Sequence, residues 1–476
     1  MKDELNSMSK NNIHELAELP KGAKLIGCKW VFKTKLDPNG NIKRYKARLV
    51  AKGYTQREGV DYKETFSPVS RKDSLRIVMA LVAHFDLELH QMDVKTAFLN
   101  GYLYEDVYMA RPQGFISKGQ EHLVCKLKKS IYGLKQASRQ WYFKFDELMK
   151  KNNFIKNQQV IILIYESKRV LSRNFDMKDL GEALYVIGIE IHRDRVNGRL
   201  GLSQKAYIER ILNRFNMQHC SPTVAPVIKG DVFGSHQCLK TEAEYEEMRR
   251  IPYASVVGSL TYAKVCTRPD IAYICGMLGR FQSNPGLLHW KAAKKVLRYL
   301  QGTKEYKLTY TISENLKVIG YSDSDFAKCK DTSRSTSGYI FMLSDGPISW
   351  KSKKQMLTTT SMMMAEYVSV YNATCHAMLL RNLITRLKII NSISRPLKIY
   401  CDNSAAMSFS DSNSSTGAGL YLDTKYLFVC ERVEEQRISI EHIRTHERLA
   451  DPLTKGLPPK IFQGHVAKMG FRQDLT

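Results

Sequence analysis

Apolar and charged positions alternate through WVFKTKLDPNGNIKRYKAR (30–48), and Pro38, Asn39 and Gly40 cluster in the middle, which predicts an extended hairpin. Its lysines and arginines would be presented to a phosphate backbone. The hydrophobic period then lengthens. SLRIVMALVAHF (74–85) reads as a helix ahead of a strand-like LELHQMDV (87–94), and KSIYGLKQASRQWYFKFDELMKKN (129–152) passes from a glycine-containing loop into an amphipathic helix. Helix, strand, loop and helix are thereby placed around Asp93. SQKAYIERILNRFNM (203–217) reads as a helix with Ser203 as its N-cap, and the turn-rich tract 219–238 as a linker or long surface loop. Helices over 253–266 and 289–303 follow, and the helix end at Gly302 closes the middle portion.

Beyond Gly302 the pattern turns to strands at LKVIGYSD, SGYIFML and PISWKSK, a long helix over about 361–387, a strand at LKIYCD, a helix, a strand at ISIEHIRT and a final helix. This order suits helices packed on a mixed sheet, so the expected fold class is α+β or α/β in several domains. At 476 residues the chain is too long for one growing core, and 43% apolar content suffices to bury several.

Charge narrows the choice of partner. Lysine and arginine number 73 against 47 acidic residues, a net +26, and such a field attracts polyanions, nucleic acid first among them. Ten cysteines lie scattered with no CxxC pair or zinc-like spacing and read as buried thiols in a reducing compartment. The polar start MKDELNSMSKNN lacks a signal-peptide core, its KDEL is at the wrong end for retention, and no apolar run suggests a membrane span, so an intracellular site in cytoplasm or nucleus is expected.

Four acids stand where the predicted topology could join them: Asp323 ending a strand, Glu366 in the long helix, Asp402 ending LKIYCD, and Asp451 opening the last helix. Converging carboxylates repel one another unless divalent cations sit between them, and two ions about 3.5–4 Å apart can hold the attacking water and leaving oxygen of a phosphodiester. Each acid also has a plain reading as a strand-end turn residue, a solvated helix face or a helix cap.

GYSDSDFA (320–327), STSGYIF (335–341), ISWKSKKQ (348–355), AEYVSV (365–370), YCDNSAA (400–406) and LADPLTKGL (449–457) resemble, in order and spacing, the ribonuclease H motifs of copia-type LTR retrotransposon Pol polyproteins. The resemblance implies a ribonuclease H-like fold, metal ligands Asp323, Glu366, Asp402 and Asp451 with Asp325 ranked below Asp323, Mg²⁺ (or Mn²⁺) as cofactor, and cleavage of the RNA strand of an RNA–DNA hybrid. Two departures stand out. Met362, Met363 and Met364 replace a polar, acidic run, and TKYLFVCERV (424–433) lacks the family's Thr-Lys-His signature and several residues.

The N-terminal half resembles the reverse transcriptase of the same elements through WVFKTK (30–35), YKARLVAKGYTQ (45–56), ETFSPV (64–69), QMDVKTAFLNG (91–101) and SIYGLKQASRQWY (130–142). By that resemblance Asp93 would bind catalytic metal, Phe98 act as steric gate against a ribose 2′-OH, Arg48 contact the incoming triphosphate and Gln136 line the nucleotide pocket of a template–primer enzyme. Ser138 stands where the family has proline. Read without the family, Phe98 is a core aromatic, Arg48 a solvated strand residue and Gln136 a helix-start polar group. The family's second pair of carboxylates comes from a Tyr-x-Asp-Asp hairpin, yet this chain holds no Asp-Asp dipeptide. VIILIY (160–165) resembles the strand entering that hairpin, and Glu166 opens a segment that belongs well beyond it. The expectation is an incomplete fingers and palm (1–178), a thumb or helical connection (179–310) and a ribonuclease H-like domain (311–476), with a defective polymerase. An inert nucleic-acid-binding remnant and a decayed, unstable product are the alternatives. Integrase and protease motifs are absent from these residues, as in the C-terminal portion of a longer polyprotein.

Overall fold

A computed structural model describes residues 1–36, 41–65, 71–116, 119–152, 165–314, 316–387, 396–402, 419–444 and 447–474. The chain divides into two compact units, one of residues 1–70 and 91–181, the other of 71–90 and 182–476.

In the first unit the predicted hairpin is present, Cys28–Leu36 pairing antiparallel with Ile42–Ala51; its turn, 37–40, lies outside the described residues. A four-stranded sheet runs in the order His14–Glu18, Leu123–Lys129, Tyr102–Met109, Leu25–Ile26. Their apolar residues join one core that includes Ile26, Leu49, Leu99, Val107 and Leu127. Two loops of the quoted motifs meet backbone to backbone. A Cβ on Gly53 would stand 2.0 Å from the Gly133 carbonyl, and one on Gly133, whose φ is +94°, 2.2 Å from that of Ala51. Only glycine fits at that crossing, which explains its place in both AKGY and IYGL.

The segment after 152 departs from expectation. Residues 153–164, which carry most of the expected VIILIY strand, lie outside the described residues, and Tyr165 opens a helix, Tyr165–Asn174, where a strand end was expected. Leu171 and Phe175 of this region bury against Leu148 of the helix Ala137–Lys151, with Trp141 at 5.0 Å from the Phe175 ring.

The second unit holds two five-stranded sheets. One runs Phe471–Arg472, Lys307–Thr311, Arg199–Ser203, Ile189–Asp194, Tyr185–Val186, antiparallel throughout. It was not anticipated, and it carries the chain past Gly302 without a break. Three smaller readings are corrected here. Ser203 ends a strand, and Gln204 is the N-cap of the helix Lys205–Arg214. The strand over 87–94 is confined to His90–Val94. Of the two readings of tract 219–238 the linker is dropped, since both its ends lie in the same unit, and the long surface loop stands, mostly exposed or half-buried with Ala225 and Val227 tucked in.

The other sheet has the order Gly346–Lys354, Thr336–Leu343, Ile319–Asp325, Leu397–Cys401, Ile438–His442. Its first three strands are antiparallel and the last two parallel to Ile319–Asp325, with the helix Met362–Leu387 crossing between them. This is the expected ribonuclease H-like layer. Ala373, Ala377 and Ile384 bury one helix face on the sheet at the spacing of a 3.6-residue period. Arg76 is fixed in the same unit. Its Nε donates to Ile348 O (2.7 Å), Nη1 donates to Val265 O (2.8 Å), and the guanidinium covers the Trp350 ring at 3.8 Å. No helix of the described residues is long and apolar enough to cross a membrane. All ten cysteines are free thiols, six of them buried.

Candidate active site

The start of the long helix is held against the sheet by side chains rather than by apolar contact alone. Gln355 Nε2 donates to Ala365 O (2.8 Å) and Ser337 Oγ (2.9 Å), and Ser369 Oγ donates to Asp323 O (2.7 Å). Those bonds set Glu366 beside the strand that carries Asp323. Met362 is exposed, at 64%, while Met363 and Met364 are half-buried in the first turn of the helix.

Asp402 follows the central parallel strand Leu397–Cys401. Oxygens of Glu366 and Asp402, with the Cys401 sulfur, lie within 4.8 Å of one another, a group of metal-ligand type. Asp323 is fully buried on the neighbouring strand. Asp451 begins a short 3₁₀ turn, Asp451–Leu453, and not the last helix, Pro459–Lys468. The turn reaches the cluster because Gly338 lets it approach: a Cβ there would stand 2.6 Å from Thr454 Cγ2. Thr454 Oγ1 in turn donates to Asp323 Oδ2. All four predicted acids therefore converge. Asp325 accepts from the backbone N–H of Thr336 and is committed to the sheet.

Sequence reasoning missed three partners of this cluster. Arg448 Nη1 is 2.6 Å from both Asp323 Oδ1 and Asp402 Oδ2, Lys455 Nζ is 3.1 Å from Asp451 Oδ1, and Thr454 is bonded as above. A cue existed in the spacing, since Arg448 and Lys455 lie three and four residues either side of Asp451 and so reach the same side of a helical turn. Burial is the largest influence on Glu366 and Asp451. It pushes the Glu366 carboxyl up to about 9, reinforced by Asp323 and Asp402, and that of Asp451 up to about 6, reinforced by Asp323 and opposed by Lys455 and Arg448. Burial opposes charge on Arg448, but Asp323, Asp451 and Asp402 together hold it above its ordinary range.

The residues fit a divalent cation. Among the described residues Glu366 Oε2 and Asp402 Oδ1 are buried oxygens without a hydrogen-bond partner, and a cluster of hard carboxylate oxygens is the donor set that Mg²⁺ prefers.

In the first unit the polymerase-type residues fall into two groups. The Arg48 guanidinium lies over the Tyr132 ring at 5.2 Å, and Tyr132 meets Phe98 edge-on at 5.4 Å. Phe98 also packs on the main core, which serves the plain reading as well as the family one. Gln136 is fully buried and accepts from Gln56 Nε2 at 3.2 Å. Asp93 is exposed on His90–Val94, and among the described residues no metal-ligand group forms around it. Glu166 falls at the start of the helix Tyr165–Asn174.

Residues 11–166 and 157–229 match the family described as reverse transcriptase (RNA-dependent DNA polymerase). The chain is 40% identical, over 97% of its length, to the retrovirus-related Pol polyprotein from transposon TNT 1-94 of Nicotiana tabacum, of which it spans 37%. It is 30% identical over 55% of its length to a transposon Ty5-1 protein of Saccharomyces cerevisiae, spanning 92% of that protein. Among solved structures, the foamy viral protease-reverse transcriptase in complex with dsDNA aligns over 93% of this chain and 82% of that one, at 11% identity and a TM-score of 0.49.

Proposed function

Since this chain belongs to the copia-type retrotransposon Pol polyproteins, through their reverse transcriptase and ribonuclease H portion, we propose that its working activity is metal-dependent cleavage of the RNA strand in an RNA–DNA hybrid, beside a polymerase that does not extend primers. The observation that carries this reading is the convergence of Asp323, Glu366, Asp402 and Asp451 on one buried spot. Residues 311–476 would form the nuclease, 179–310 the thumb or connection, and 1–178 the incomplete fingers and palm.

Glu366, Asp402 and Asp323 would hold Mg²⁺ (or Mn²⁺), with Asp451 nearby. Bound there, the cation would supply an activated water and stabilise the leaving oxygen of the phosphodiester. Asp323 is held by Thr454 and Arg448, so its carboxylate is oriented before substrate arrives. Glu366, held neutral by burial, would have to release its proton to serve such a cation as a carboxylate ligand. The net charge of +26 would bind the hybrid by its phosphates.

The polymerase is read as defective because the chain holds no Asp-Asp dipeptide and, among the described residues, no metal-ligand group forms around Asp93. A second reading, a remnant that binds nucleic acid without cutting it, draws on one observation: Arg448 is paired with three of the four acids.

Incubating the purified chain with a labelled RNA–DNA hybrid in Mg²⁺ tests the proposal, with Asp402→Asn as control. RNA cleavage by the wild type, reduced at least about 100-fold in the variant, is expected. Hybrid bound but uncut by folded wild-type protein would leave the binding remnant instead.

A further inference from the structure

The acid cluster brings its own cation. Nη1 of Arg448 stands 2.6 Å from Asp323 Oδ1 and 2.6 Å from Asp402 Oδ2, so one nitrogen receives oxygens from two different strands. Nε of the same group is 3.4 Å from Asp451 Oδ1. Lys455 Nζ completes the arrangement at 3.5 Å from Asp323 Oδ2. Arg448 is only 6% exposed, and ion pairs sheltered from water are strong when made and costly to leave half-made.

Two carboxylates from separate elements, closing on one positive centre, is the geometry a divalent ion itself requires. Both cations cannot use the same oxygens. An ion at about 2.1 Å from Asp402 Oδ2 or Asp323 Oδ1 would lie within a few ångströms of the guanidinium, where like charges repel strongly in a buried site. Even an ion held through Glu366 Oε2 and Asp402 Oδ1 would share the Asp402 carboxylate with Arg448, so the two cations compete for it. Lys455, the other cation of the cluster, stands further off, at 3.1 Å from Asp451 Oδ1 and 3.5 Å from Asp323 Oδ2.

We propose that Arg448 is the resident counter-ion of this cluster: it holds Asp323 and Asp402 together in the metal-free protein, competes with the divalent cation for them, and so raises the metal concentration at which the site fills. The inference rests on the metal-site reading given above. A merely structural arginine would behave differently, since its loss would weaken the fold at every metal concentration and leave metal affinity unchanged or poorer.

Mn²⁺ binding to the full chain, by calorimetry, and melting temperature in EDTA and in excess Mn²⁺ would be measured for wild type, Arg448→Gln and Arg448→Lys. Arg448→Gln is expected to melt below wild type in EDTA, to gain more from Mn²⁺ than wild type does, and to bind Mn²⁺ about tenfold more tightly. Arg448→Lys, whose single ammonium bridges two acids less well, is expected to bind about threefold more tightly and guards against a glutamine variant that does not fold. Mn²⁺ affinity equal to or weaker than wild type in whichever variants fold overturns the inference alone. No Mn²⁺ binding by wild type or variants overturns the metal-site reading and the inference with it.

Discussion

Asp323 takes its side-chain partners from Arg448, Thr454 and Lys455, all more than a hundred residues later in the chain. The close approach that makes this bonding work is at Gly338, so Gly338→Ala should push Thr454 off Asp323, cost about 1–3 kcal/mol of stability and lower cleavage; denaturant melts and the hybrid assay would read both effects. His376 offers a test by pH. Its Nε2 is 2.6 Å from Ser349 Oγ, and burial pushes the imidazole down to about 4, with a partial opposing pull from Asp73. The unfolded chain then binds the proton that the folded chain refuses, so this contribution is complete above the unfolded value near 6.5 and is lost as pH falls toward 4. Urea midpoints should drop less between pH 7 and 5 in His376→Gln than in wild type, and equal drops would deny His376 that role. The acids were legible in the sequence because few residue types can hold a hard cation. Arg448 was not, because an arginine in a charged run reads as a solvated face until a distant strand is seen beside it.

Among elements, the strands of the C-terminal sheet were legible as short apolar runs bounded by turn residues and charges, although Thr336–Leu343 is buried along its whole length. The antiparallel pair Ile189–Asp194 and Arg199–Ser203 was missed although its turn contains Asn197 and Gly198, a strong hairpin cue. Leu200 and Leu202 are wholly buried beside a buried Gly201, so the usual alternation of exposed and buried residues fails there. One buried network holds the middle helices: Arg268 Nη2 is 2.7 Å from Asp270 Oδ2, which also accepts from Tyr299 Oη at 2.6 Å, and both charged residues are almost fully buried. Asp270→Ala should cost about 3–5 kcal/mol, because it strands the guanidinium, as a shift in chemical denaturation would show. The region of the helix Tyr165–Asn174 makes a smaller core with Leu148 of Ala137–Lys151. Phe175→Ala should cost about 3 kcal/mol within the first unit, seen as faster proteolysis near residue 152.

At the scale of the whole molecule, the chain spans about a third of the transposon TNT 1-94 polyprotein, 37% of its length, and carries a net charge of +26. Hybrid binding should therefore weaken steeply with salt, by about 10³-fold or more between 50 and 200 mM if six or more phosphates are contacted, and a flat salt titration would argue against a phosphate-led interface. The two halves carry opposite expectations. Among the described residues of the first unit no metal-ligand group forms around Asp93, and in the second four acids meet. One substrate can interrogate both: an RNA template annealed to a recessed DNA primer, each strand labelled, given Mg²⁺ and deoxynucleotides, with wild type beside Asp402→Asn and Asp93→Asn. The expected result is RNA cleavage by wild type and Asp93→Asn, none by Asp402→Asn, and no primer extension by any of them. Extension that depends on Asp93, or intact RNA in every lane despite bound hybrid, would contradict it.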